Sequence, residues 1–161
     1  MWRSKIFLAT ICICFVTLTA HAQKNLTIDE LRYSIKPATN YDSFFHAKGY
    51  MMKQSVSDDS MKVYHYYLPN GEGPMNVIIA MITATGARTV EFQTLNKTYY
   101  TKIRTAVLTS ANGWKLGEAE TIQLSDKKVK MYHYSHTGSE IIIYSSSQGS
   151  QTWYCIQCLV N

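Results

Sequence analysis

The chain has 161 residues, a formal net charge of +5, 46% hydrophobic and 12% aromatic residues. That length bounds it to one compact domain or two small repeats sharing a core. Its 16 basic and 11 acidic residues are interspersed with no Lys/Arg cluster or stripe, which excludes the electrostatic footprint of nucleic-acid binding.

Residues 1–22 read as a signal peptide. Arg3 and Lys5 form the basic region, an apolar stretch runs over residues 6–20, and Ala20-His21-Ala22 is a small-x-small cleavage site before Gln23. The apolar stretch falls short of the roughly 18 to 20 residues that span a bilayer, so no stable membrane insertion is expected after cleavage. Cys12 and Cys14 each follow Ile and so lack the Leu-x-Gly/Ala-Cys context of lipid attachment. An exported protein, periplasmic or extracellular, is expected. The 139 residues that remain carry a net charge of +3.

Thr27-Ile28-Asp29-Glu30 is a capping box that opens a helix, and Pro37 ends that segment. A second short helix is expected over about 41–48, started by Asn40 and closed by Gly49. The period then changes from helical to alternating: strands are expected over 50–56, 61–68, 76–84 and 87–94, with turns at 57–60, 69–74 and 85–86. Asn96 caps a third helix with Tyr99, Tyr100, Ile103, Ala106 and Val107 as its apolar stripe, ended by Asn112-Gly113. Strands follow over 114–124, 128–135, 140–147 and 150–159. Cys155 and Cys158 stand three apart in the last strand on opposite faces, too far apart for a disulfide within a strand, and read as small buried thiols.

A motif occurs twice. Ser57-Asp58 followed by Lys62-Val63-Tyr64-His65-Tyr66 returns as Ser125-Asp126 followed by Lys130-Met131-Tyr132-His133-Tyr134, at an ungapped offset of 68 residues. The expected fold class is therefore α+β, a tandem duplication of a helical segment plus a four-stranded antiparallel meander with the helices on one sheet face. Repeat 1 covers residues 23–94 and repeat 2 covers 95–161, joined in one compact unit as one continuous sheet of about eight strands or as two sheets side by side over a shared core.

This order resembles the secreted β-lactamase inhibitory proteins, whose duplicated sheets form a concave protein-binding surface. The resemblance lies in architecture, over nearly all of the mature chain. The motif residues and paired disulfides of that family are absent here, so it implies a protein-binding sheet and no particular target. Leader, Ala-x-Ala-Gln junction and aromatic repeats also look like small exported proteins of Bacteroidetes-type bacteria.

Alternation divides the motif into faces. Met61, Val63 and His65, with Val129, Met131 and His133, are expected beneath the helices. Lys62, Tyr64 and Tyr66, with Lys130, Tyr132 and Tyr134, then project from the open face, where tyrosine supplies contact area with few rotors and a polar tip. The bland reading is that these tyrosines pair across strands to stabilise an exposed sheet. His65 and His133 invite a shared site across a pseudo-twofold axis, but two histidines are too few ligands, so no metal or cofactor is expected. No nucleophile elbow, zinc-protease helix or phosphate loop is present, and Asp58 and Asp59 belong to a turn. The expected function is a non-enzymatic module that binds an unknown protein, inhibitor- or immunity-like, through Tyr64, Tyr66, Tyr132, Tyr134, Lys62, Lys130 and the 69–74 loop. The alternatives are a small periplasmic hydrolase or a ligand carrier with a pocket between repeats, and a structural envelope protein.

Overall fold

The computed structural model describes residues 26–68, 76–109, 113–124 and 127–160. The expected signal peptide, the 69–74 loop, Asn112, Ser125 and Asp126 lie outside the described residues.

Helix α1 (Ile28–Ser34) opens on the capping box: Thr27 Oγ1 accepts from the Glu30 amide at 3.2 Å, and Glu30 Oε2 accepts from the Thr27 amide at 2.8 Å. Helix α2 (Tyr41–Ala47) begins at Asn40, whose Oδ1 accepts from the Ser43 amide at 3.0 Å. It ends before Gly49, whose φ of +85° suits a residue without Cβ. The Lys48 ammonium pairs with Glu30 and ties the end of α2 to the start of α1. Helix α3 (Lys97–Leu108) is capped by Asn96 and buries Tyr99, Ile103 and Val107 at successive turns. It closes at Thr109, before the expected stop.

The strands are β1 (Met51–Ser57), β2 (Met61–Tyr67), β3 (Asn76–Thr83), β4 (Arg88–Thr94), β5 (Lys115–Leu124), β6 (Lys127–His136), β7 (Ser139–Gln148) and β8 (Gln151–Val160). The antiparallel sheet and α+β content match expectation, but the tandem architecture is overturned. Among the described residues all eight strands form one antiparallel sheet in the order β1-β2-β3-β4-β8-β7-β6-β5, with three short helices, two before β1 and one before β5. The reason is the seam. β4 and β8 pair from Thr89↔Leu159 to Thr94↔Tyr154, so no sheet edge separates a first unit from a second. Val90, Phe92, Ile156 and Cys158, all fully buried, make that seam part of one core. A four-stranded sheet under a helix or two would leave this apolar surface in water.

Edge strands β1 and β5 each carry a bulge, between Met52 and Gln54 and between Leu116 and Ala119, which breaks the flat ladder that would invite another chain. The β1–β2 turn is built by Asp58, whose Oδ1 accepts from the Ser60 amide (2.7 Å), the Ser60 hydroxyl (2.6 Å) and the Met61 amide (2.8 Å). Asp58 is therefore structural.

The helices are held to the sheet by a buried cation. Arg88, 7% exposed, donates from Nη1 to the Lys36 and Pro37 carbonyls at 2.9 and 2.7 Å and from Nη2 to the Thr39 carbonyl at 2.7 Å. Its guanidinium also lies 4.0 Å from the centroid of the Tyr41 ring. The connection between α1 and α2 ends in carbonyls that no helix satisfies, and the planar fork of Arg88 reaches three of them at once. Among the described residues no helix is long and apolar enough to cross a membrane.

Candidate functional site

The register assigns every side chain of the sheet to one of two faces. Tyr66 pairs with Ile78, Ile78 with Phe92, Phe92 with Ile156, Ile156 with Ile143, and Ile143 with Tyr132. These residues, with Tyr134 and Ile141, share the face packed against Leu31, Phe45, Tyr99 and Ile103 of the helices. The expectation that the motif tyrosines project from an open face is therefore overturned.

Tyr66 is 1% and Tyr134 2% exposed. The Tyr66 ring lies 4.9 Å from that of Phe45 in α2, and burial pushes its phenol well above the ordinary tyrosine range. Tyr64 packs against the rim of this core with its ring 5.9 Å from that of Tyr41, and Tyr132 does so beneath the Arg104 guanidinium of α3 at 5.7 Å. Lys62 and Lys130 are exposed at the margin, and the Lys130 ammonium lies 5.2 Å from the Tyr132 ring. The physical reason is area: four tyrosines supply more core surface than Val63, Met131 and two histidines, enough to carry the Tyr66 hydroxyl into the core without a hydrogen-bond partner.

Among the described residues the opposite face carries no helix, and it mixes apolar with polar side chains. Val63, Ile79, Met81, Ile142, Met131 and Trp153 are all half-buried there, shielded by one another and not by another layer. Seven inter-strand steps and strands of seven to ten residues give this face an extent of roughly 34 by 23 Å, or about 800 Å².

Polar groups are interspersed on this face, and two sets of them are joined by hydrogen bonds or ion pairs. Glu91 of β4 stands near its centre, 9% exposed, opposite Ile79 on one side and Gln157 on the other. Its Oε1 accepts from the Tyr144 hydroxyl at 2.9 Å and from Gln93 Nε2 at 2.6 Å. Tyr144 reaches from β7 across β8 to make that bond, and thereby covers Cys155, which is 3% exposed. Burial, with the Glu91 charge nearby, pushes the Cys155 thiol up to about 12, so it is held protonated. Burial likewise pushes the Tyr144 phenol far above its ordinary value.

His133 lies toward the β5 side, with Nδ1 2.5 Å from Glu140 Oε1 and Nε2 3.5 Å from Glu120 Oε2. Both ring nitrogens face carboxylates. His65 occupies the same row of the sheet, five strands away through Ile79, Glu91, Gln157 and Ile142. The two histidines are thus about 24 Å apart and cannot meet at a common ligand. Among the described residues no group of three or more His, Cys, Asp or Glu is placed to hold a metal ion.

A second concavity of about 450 Å³ lies on the helix side, lined by Asp29, Arg32, Tyr33, Lys36 and Ser139 among others. Arg32 is occupied there: Nη2 lies 3.3 Å from His136 Nδ1 and the guanidinium 5.5 Å from the Trp114 ring. That cleft is a seam between α1 and the sheet.

Glu91 was not singled out by sequence reasoning, though a signal for it exists. In Thr89-Val90-Glu91-Phe92-Gln93 the polar and apolar residues alternate cleanly, which marks Val90 and Phe92 as core and Glu91 as facing away. Carried through the register to β2, that alternation puts Tyr64 and Tyr66 inside. Compared with family models, curated proteins and solved structures, the chain matches none.

Proposed function

We propose that the protein is an exported, non-enzymatic binding module that holds a protein partner on its helix-free sheet face. The observation that carries this reading is the set of half-buried apolar side chains Val63, Ile79, Met81, Ile142 and Met131 on one sheet face, which no helix among the described residues covers. Large apolar patches on soluble proteins mark interaction sites. The extent of the face, about 800 Å², equals what one partner contributes to a standard protein interface. Catalysis is a poorer fit: the buried Cys155 thiol is held protonated, and both nitrogens of His133 are turned to carboxylates.

Site-specific photocrosslinking in the native host tests the reading. A photoreactive residue at Ile79 or Ile142 is expected to capture the same protein, identified by mass spectrometry, while one at Thr98 or Lys102 on α3 captures none. Equal capture from α3, or none from Ile79 and Ile142, contradicts it.

A further inference from the structure

Resting on that binding reading, we propose that the partner inserts a single cationic side chain, an arginine or lysine flanked by apolar residues, onto Glu91 at the centre of the helix-free face. Glu91 is set among Ile79, Met81 and Tyr144, and Tyr144 and Gln93 already donate to its Oε1. These two neutral donors fix the carboxylate in place and leave its charge uncompensated. Among the described residues the cationic candidates on the same face are remote or engaged: His65 stands two strands away, His133 faces Glu140 and Glu120, Lys115 lies on edge strand β5 opposite Ser135, and Lys127 at the far end of β6 donates to the Ser147 carbonyl.

An uncovered face leaves this charge in contact with water. A purely apolar partner would strip that water and bury an uncompensated anion, which is strongly unfavourable. A cation aimed at Glu91 removes the penalty and adds a charge-assisted hydrogen bond, the arrangement typical of an arginine at an interface centre. A second copy of this chain is a poor occupant, because laying the two faces together about this centre sets Glu91 against Glu91.

The test uses two small probes of one shape: phenethylguanidinium, which is an aromatic body with a cation, and its neutral isostere phenethylurea. Each is titrated into the mature chain and followed by NMR. Phenethylguanidinium is expected to shift Glu91, Gln93 and Tyr144 and to bind about tenfold more tightly than the urea. Raising sodium chloride from 50 to 500 mM should erode that preference in the unmodified protein, and Glu91→Gln, whose amide oxygen still accepts from Tyr144, should abolish it. Equal affinities for the two probes on this face overturn the cationic anchor and leave the binding surface standing. Shifts confined to the helix side overturn the surface as well, and a salt-insensitive preference or a dimer formed through this face overturns the anchor without any variant.

Discussion

Ile78 and Ile79 are neighbours in β3, yet one is fully buried and the other half-open, and the whole molecule divides along that line. Ile78 points to the face where three helices, four motif tyrosines and the Arg88 clamp make a closed core. Ile79 points to the face where half-buried apolar side chains are interspersed with polar ones, Glu91, Gln157, His65 and His133 among them. In β3 composition does not distinguish the two faces and covering does, whereas in β4 the polar residues mark the second face. The helices went to the face with the larger aromatic area, and the other was left as an apolar surface with a fixed charge at its centre.

The largest expected effect comes from truncating one motif strand on its two sides. Tyr66→Ala or Tyr134→Ala should remove roughly 3 kcal/mol or more of stability in urea unfolding, the usual cost of emptying an aromatic site in a core. Val63→Ala or Met131→Ala, three residues away on the other face, should cost less than about 1.5 kcal/mol because their partly open sites leave smaller cavities. Equal costs would erase the difference between the faces.

Arg88 comes next. Arg88→Met keeps the bulk of the side chain but leaves the Pro37 and Thr39 carbonyls without the guanidinium donor and the Lys36 carbonyl with the Thr39 amide alone, and about 3 kcal/mol should be lost in the same assay. Arg88→Lys keeps the charge without the fork and should recover only part of it.

The two cysteines sample opposite faces of β8 and give a smaller, pH-dependent contrast. Burial is the leading cause that raises both Cys155 and Cys158 to about 12. Unfolded thiols ionise near pH 8.5 to 9, so the unfolded state loses protons first, and stability should fall as pH rises from about 9 toward 12. The slope is on the order of 1 kcal/mol per pH unit for each thiol. At pH 8 neither thiol should react with a thiol reagent until the chain unfolds. If Cys155 reacts in the native state, Tyr144 does not cover it.

Much of the fold was legible in the sequence, because it rests on local chemistry. Thr27 with Glu30, Asn40 and Asn96 announce the helix starts, and period-2 alternation places all eight strands within one or two residues. Two things were not. The β4–β8 pairing joins residues about 65 positions apart, and no turn chemistry between them specifies it. The choice of face was also ambiguous in the motif strands, where Val63 and Met131 compete with Tyr64 and Tyr132 at similar hydrophobicity, and Ile141-Ile142-Ile143 is apolar on both sides. β4 resolves that ambiguity, but only once the register linking it to β2 is known.

The measurement that tests the account most directly is solvent paramagnetic relaxation of isoleucine methyl groups, in the chain from Gln23 onward, with a soluble gadolinium chelate. Ile79 and Ile142 should relax several-fold faster than Ile78, Ile141 and Ile143, their neighbours in the same two strands. If Ile79 and Ile142 prove as protected as those neighbours, the second face is covered, and the binding surface described for it does not exist.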